Sequence, residues 1–403
     1  MSVPAKHFYL EIKIKNKNSN LSDQAHVSFP SDNIEYLTIK ENVLSILPRL
    51  EMVVYDSGDL IESIPIVDKD IISITLSSTK EEEGITLDFI ISSFISHASP
   101  EDNQYNKIKI IGYLYVENMF VPHRTRSFSG NSEDVLKRIS KESKVDFNNI
   151  HNVKSSDKMI WYQDSNNFNF INHILKRSYV DKDTIFFYGN VDNNFIYTSL
   201  NKEIDKENTF IARYDRGRTE NFVMADDEND ILYYDSYDLL NLTEIYNNIS
   251  NYGMRYCYYD LNGNMKNETI TSIKKITDLL NKSKDYDGKD CIQSNMGMMS
   301  NPNVFKDYFK AINQNIFYKN NLFSVSMTMN INSSTKVKLF DKINVALPST
   351  FFRGGEINDV YSGVYLVTAI TYNVTSGNQL QKQIMLSRYG INKAGTIKHF
   401  DIN

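Results

Sequence analysis

Ser362-Gly363-Val364-Tyr365-Leu366-Val367-Thr368-Ala369-Ile370-Thr371-Tyr372 is followed, past the turn Ser376-Gly377-Asn378, by Gln383-Ile384-Met385-Leu386-Ser387-Arg388-Tyr389. β-Branched and large apolar residues recur there at the two-residue period of a pleated strand. Val364 to Thr375 and Gln379 to Tyr389 therefore read as one long hairpin, the clearest in the chain. Val364, Leu366 and Thr368 fall on one face and Tyr365, Val367 and Ala369 on the other, with Ile384 and Leu386 alternating across the turn. Neither face is strongly charged before the strand ends, so a face or an edge is expected to be covered by a neighbouring sheet or subunit.

The same period recurs upstream. Phe8 to Ile14, Ile34 to Glu41, Arg49 to Tyr55, Ile71 to Leu76, Ile85 to Ser92 and Ile108 to Val116 read as strands separated by polar loops such as Asn16 to Gln24. Six short, closely spaced strands favour a mostly antiparallel closed sheet or sandwich. After Pro122 the period lengthens. Ser132 is the expected N-cap of a helix with early carboxylates, and Phe168 to Tyr179 is a second helix burying Phe170, Ile171, Ile174 and Leu175. Thr184 to Tyr188 and Phe195 to Tyr197 form a hairpin, and Thr209 to Tyr214 a strand. Ile231 to Asp260 is Tyr-rich without a readable sheet order, broken by the turn Asn262-Gly263. Asn303 to Lys319 carries Val304, Phe305, Tyr308, Phe309, Ile312 and Ile316 at near-helical spacing, with Asn303 as its expected cap. Phe323 to Met329 and part of Lys336 to Leu347 return to strand. The fold class is thus mainly β with α+β insertions.

Composition excludes more than it assigns. The 403 residues exceed what one core usually serves, and 41% hydrophobic with 23% charged residues describes a chain that folds. A net charge of −6 offers little long-range attraction to nucleic acid or anionic membrane. Cys257 and Cys291 have no metal-ligand or disulfide spacing. The amino terminus lacks the regions of a secretion signal, and no apolar run reaches the roughly 20 residues of a membrane span, so cytoplasmic synthesis is expected.

Candidate chemistry is sparse. His7, His26, His97, His123, His151, His173 and His399 are dispersed without metal spacing. Asp226 to Asp230 reads as a solvated acidic loop, and Gly354-Gly355 as a turn rather than a phosphate cradle. Arg124, Arg126, Lys137 and Arg138 are the nearest approach to a basic cluster. No acid and nucleophile pair is visible, and neither catalytic residues nor a cofactor is expected. Trp161, Tyr162, Leu366, Tyr372 and Tyr389 are the residues expected to pack or to meet a neighbour, the aromatics because a large apolar ring there keeps a polar edge.

Three stretches together resemble the central baseplate hub proteins of contractile-tailed bacteriophages. They are Asn33 to Asn42 with Pro48 to Ser57 and Asp68 to Ile74; the Trp161, helix and hairpin order of the middle; and the closing pair Ser362 to Tyr372 and Gln383 to Tyr389. The resemblance implies two tube-like antiparallel β domains. Residues 1–116 would form the first, and 206–235 with 321–393 the second. An α+β middle domain would take 117–205 and the insertion 236–320, leaving 394–403 as a tail. It further implies a structural homotrimer whose ring adapts a sixfold tail tube to a threefold central spike. Its implied partners are the spike, tail tube or tube-initiator proteins, the tape measure protein and, in transit through the channel, DNA. Its implied place is the virion tail baseplate, assembled in the host cytoplasm. After Lys398-His399-Phe400 the sequence lacks the longer polar C-terminal extension of some hubs, and if that extension holds a spike, spike attachment is expected on another surface here. The alternatives are a carbohydrate-binding or peptidoglycan-degrading tail protein, or a monomeric β-rich binding module.

Overall fold

Alternate β-branched and large apolar positions build the amino-terminal unit. Its strands are Tyr9–Lys15 (β1), His26–Phe29 (β2), Ile34–Asn42 (β3), Arg49–Asp56 (β4), Ile71–Ser77 (β5), Ile85–His97 (β6) and Asn106–Leu114 (β7). They pair antiparallel throughout in the order β2-β1-β5-β6-β7-β4-β3. Ile12, Leu37, Ile39, Met52, Ile74 and Ile110 point into one core, as the period predicts. The computed structural model describes residues 9–15, 26–29, 33–56, 70–77, 85–97, 106–122, 124–207, 209–214, 231–241, 254–260, 262–270, 279–280, 292–299, 303–332, 335–348, 357–375 and 379–392. The expected acidic loop Asp226 to Asp230, the turns at Gly354-Gly355 and Ser376 to Asn378, Cys291, His7, His123 and His399 lie outside the described residues.

The middle unit contains Arg126–Gly130 (β8), Ser132–Glu142 (α1), Asp146–Asn149 (β9), Met159–Gln163 (β10), Asn167–Arg177 (α2), Ile185–Gly189 (β11), Asn194–Ser199 (β12) and Leu200–Ile204 (α3). β8 pairs with β10, and β12 lies between β11 and β9, the latter pair parallel. The N-cap of α1 is Asn131, not Ser132. Ser132 is buried one step inside, where its N–H and Oγ donate to the Asp157 carboxylate at 2.8 and 2.6 Å. That carboxylate satisfies the helix start from outside the helix. It also accepts the Tyr179 N–H at 2.7 Å, which helps hold the chain extended after α2 ends at Arg177, two residues short of the expected end. Val135, Leu136 and Ile139 of α1 and Phe170, Ile171 and Ile174 of α2 share a second core with Trp161.

The remaining elements are Phe210–Tyr214 (β13), Ile231–Asn241 (β14), Met254–Tyr259 (β15), Met265–Ile270 (β16), Leu279–Leu280 (β17), Ile292–Met299 (β18), Tyr308–Leu322 (α4), Val325–Ile331 (β19), Lys342–Val345 (β20), Gly363–Thr375 (β21), Gln379–Arg388 (β22) and Ile391–Asn392 (β23). β21 pairs with β20, then β13, β14, β19 and β22 follow in order, and β22 returns to β21, so the hydrogen-bonded strands close a cycle around a third core. This unit is mixed rather than antiparallel, because β13 runs parallel to both β14 and β20. A parallel neighbour requires a long crossover, which leaves no local turn signal to read. β14 runs through the expected boundary between residues 235 and 236, and α4 through that between 320 and 321.

Two helix expectations are corrected here. α4 starts at Tyr308 after the N-cap Asp307, because the chain before it makes a turn from Phe305 to Tyr308, closed by Tyr308 N–H on Phe305 O. Of the expected apolar stripe, Phe309 is buried and Val304, Phe305 and Tyr308 pack against the cores, but the inward side is partly polar. Ile316 is exposed, whereas Asn313, Gln314, Asn315 and Asn321 are buried.

β21 is the strand that joins the two β units. Gly363–Leu366 is bonded to β20, Ala369–Thr375 to β3 on the same edge, and Leu366–Thr375 to β22 on the other. The result is one thirteen-stranded mixed sheet. Both faces of Tyr365 to Ile370 are buried by the chain itself, so the cover expected from a neighbour is already supplied internally.

Gly189 at the end of β11 gives its N–H to Ile46 O at 2.8 Å, and a Cβ there would stand 2.9 Å from that same oxygen. Close backbone approach, not a special φ, demands glycine here. Gly189→Ala is expected to destabilise the chain by about 1–3 kcal/mol in urea unfolding; an unchanged midpoint would show that the β3–β4 connection moves aside freely.

Candidate assembly surface

The three cores meet at a seam built from short pieces of each unit. β11 is buried on both faces: Ile185 and Phe187 enter the middle core, Phe186 and Tyr188 the carboxy-terminal one. The β3–β4 connection behaves likewise, with Val43 in the carboxy-terminal core and Ile46 and Leu47 in the middle one. α4 completes the seam through amides. Asn315 Nδ2 donates to Ser178 O at 2.8 Å and Leu175 O at 3.4 Å, while Thr184 Oγ1 donates to Asn315 Oδ1 at 2.8 Å. Gln314 Nε2 donates to Val180 O and Asp183 O. Carbonyls left over at the end of α2 are thereby satisfied by another unit's side chains, which orients α4 more specifically than apolar packing would.

Glu41 is the ionisable group of this seam. On β3, 4% exposed, it accepts the Val191 N–H of the β11–β12 turn at 2.7 Å. Burial raises its pKa from 4.5 to about 7, against the lowering effect of the Val191 bond and of Lys382. Lys382 is itself buried, donates to Thr335 O at 2.7 Å and lies over the Tyr372 ring at 5.4 Å. Folded Glu41 therefore holds a proton that the unfolded chain releases from pH about 4.5 upward. Its contribution to stability is fully present below that pH and is lost as pH rises through about 7. Glu41→Gln keeps the acceptor without the charge. It is expected to match the parent at pH 4 and to exceed it at pH 8 by up to about 3 kcal/mol in urea unfolding. Parallel curves at the two pH values would exclude a buried ionisable Glu41.

The five residues expected to pack or meet a neighbour occupy different environments. Trp161 on β10 is buried and donates its Nε1–H to Gly130 O at 3.0 Å. Tyr162, one step along the strand, faces outward at 60% exposure beside Ile160 at 40%. Leu366 is wholly inside the carboxy-terminal core, and Tyr389 is buried just past β22. Tyr372 is half-buried and packs against the cores of both β units, opposite Ile39 of β3 and Lys382 of β22. The structure does not bring the five together; Tyr372 alone among them sits on the junction of the two β units.

An outward edge completes the surface. β6 bulges between Ile91 and Ser93, and beyond the bulge it keeps β7 on one side while β5 has already ended opposite Ile90. Among the described residues no strand pairs with the other edge of Ser93 to Ser96. Ser92, Ser93 and Ser96 are exposed there, Ile95 is 52% exposed, and the stretch carries no charge. Edges that stay solvated are usually guarded by charge or proline, and this one is not.

The four basic residues nearest to a cluster in the sequence are divided. Arg126 donates to both Glu142 oxygens at 2.9 and 2.8 Å, to Gln163 and to Asn167, and Arg124 reaches the same carboxylate at 3.3 Å. These two hold α1 to β8 and α2, whereas Lys137 and Arg138 are exposed on α1. His151 lies 3.4 Å from buried Glu203, and His173 is on α2. Among the described residues no group of three or more His, Cys, Asp or Glu could hold a metal ion, and no helix is long and apolar enough to cross a membrane.

No protein-family model matches the chain, and no curated protein matches it by sequence. Solved structures do share its fold. It is similar to the tail protein from Neisseria meningitidis MC58, with a TM-score of 0.53 and 9% identity over 95% of this chain and 97% of that one. It is equally similar to the 43 kDa tail protein of prophage MuSo2 from Shewanella oneidensis, with a TM-score of 0.53 and 7% identity over 94% and 98% of the two chains.

Proposed function

We propose that this chain is a non-catalytic structural subunit of a contractile-tail baseplate, the central hub that forms a homotrimeric ring. The observation that carries the reading is the β3–β21 junction, by which two β units lie edge to edge in one sheet within a single chain. Repeating such a junction around a threefold axis gives six β units per ring, a pseudo-sixfold annulus able to meet a sixfold tail tube. In this reading 1–116 forms the first tube-like domain, 206–235 with 321–393 the second, and 117–205 with 236–320 the middle domain. The ring would seat the threefold spike on one side and tube or tube-initiator proteins on the other. Its channel would pass the tape measure protein and, transiently, DNA, in a virion baseplate assembled in the host cytoplasm. The fold shared with two tail proteins supports this reading.

The uncharged edge of β6 supplies an assembly contact between copies. Mass photometry across micromolar and submicromolar concentrations is expected to include a three-copy species, or to acquire one on adding spike protein. Ile95→Lys is expected to leave circular dichroism unchanged and remove that species, because charge on an open edge opposes strand addition. A parent chain that stays monomeric with spike and tube partners overturns the hub reading; a trimer insensitive to Ile95→Lys overturns only the placement of the contact.

A further inference from the structure

α1 and the start of β9 flank a second surface, an open groove of about 660 Å³ lined by Lys137, Arg138, Lys141, Lys144, Val145 and Phe147. Lys137 and Lys141 are one helical turn apart, a spacing at which like charges repel. Of the carboxylates within a turn of these cations, Glu133 accepts from Asn149 at 2.9 Å, Glu142, four residues after Arg138, is taken by Arg126 and Arg124, and Asp134 accepts the Asn131 N–H of the capping box. Among the described residues Lys137, Arg138 and Lys141 make no ion pair. Lys144, paired with Glu117 at 2.9 Å, occupies the left-handed position after α1 at φ 55°, where glycine is the unstrained choice. Val145 is buried, and the half-buried Phe147 ring stacks against Phe187 and tilts against Tyr197.

We propose that this groove docks a short acidic segment of another protein, its carboxylates on Lys137, Arg138 and Lys141 and an apolar side chain on Phe147. Asp134 and Asp146 also line the groove and oppose the repeating charge of a nucleic-acid backbone, whereas a peptide can place uncharged residues beside them. Local charge runs against the chain's net −6, so recognition is short-ranged and confined to this face.

The test uses the full chain and a fluorescein-labelled peptide of aspartate and glutamate around a central Leu-Phe pair, followed by anisotropy. Saturable binding that weakens about tenfold in Lys137→Glu/Lys141→Glu is expected, since each exposed pair is replaced by a repulsion of similar size. Binding unchanged in Lys154→Glu/Lys158→Glu, whose lysines are exposed outside the groove, is expected as well. Replacing the Leu-Phe pair by Ser-Ser should weaken binding several-fold. Circular dichroism of both double variants should match the parent, and if Lys137→Glu/Lys141→Glu fails to fold, Lys137→Gln/Lys141→Gln takes its place. No saturable binding, equal loss in the two double variants, or tighter binding of single-stranded DNA of matched charge would each overturn the proposal.

Discussion

Replacing Arg388 by methionine is expected to destabilise the carboxy-terminal β unit by about 4 kcal/mol, the sum of two charge-assisted hydrogen bonds and a ring contact less the relief of desolvation. The guanidinium at the end of β22 is fully buried. It donates through one amino group to Ser362 O at 3.0 Å and through the other to Val360 O at 2.9 Å, and lies 4.4 Å from the centre of the Tyr365 ring. Tyr365 Oη donates in turn to Tyr361 O at 2.6 Å. One side chain thus fastens the turn before β21 to the end of β22. Methionine fills much of the volume but supplies no donor, so the buried Ser362 carbonyl and the part-buried Val360 carbonyl lose these bonds. Arg388→Lys should fall between, because a single ammonium cannot span both carbonyls in the planar arrangement of the guanidinium. Hydrogen exchange of β21 and β22 should accelerate with protection elsewhere nearly kept. A methionine variant with parent-like exchange in both strands would exclude Arg388 as the fastener.

Arg388 also shows where the sequence was legible and where it was not. The hairpin β21–β22 is legible in its two-residue period to within one residue at each end, as a period-two pattern with a flanking turn allows. The same alternation separates Trp161 from Tyr162 across one strand. Arg388 itself looked like the charge that ends a strand, because nothing local announces carbonyls at Val360 and Ser362 waiting to receive it. Glu41 had the same disguise at the end of β3. α4 failed differently: its buried Asn313, Gln314 and Asn315 are polar to any periodicity count, and Ile316 beside them is outside. Their burial becomes intelligible only when the carbonyls after α2 are in view. β14 was unreadable because its partners, β13 in parallel and β19 beyond α4, are distant in sequence. The seam was therefore invisible while most of its component strands were not.

Leu366→Pro is expected to have the largest effect of all, about 5 kcal/mol or more, enough to leave the carboxy-terminal β unit unfolded at ordinary temperature. Leu366 is fully buried and lies opposite Lys342 of β20 and Ser387 of β22, so β21 is flanked on both edges at this position. Immediately after it one edge changes partner: Val367 exchanges bonds with Phe340 and Asp341, and Thr368 O accepts the Val43 N–H before β3 takes over at Ala369. Proline deletes a main-chain donor one residue before that exchange and removes the leucine from the core. Leu366→Ala isolates the second loss and should cost about 2–5 kcal/mol, depending on how far the core collapses. Because both faces here are covered within the chain, alanine should reduce the three-copy species only in proportion to the folded fraction. Ile95→Lys should do the reverse, sparing the fold and removing the trimer. Circular dichroism and sedimentation velocity at matched folded fraction separate the two. A fully folded Leu366→Pro chain would refute the central position of β21, and a folded Leu366→Ala chain that no longer assembles would place Leu366 at a contact between copies.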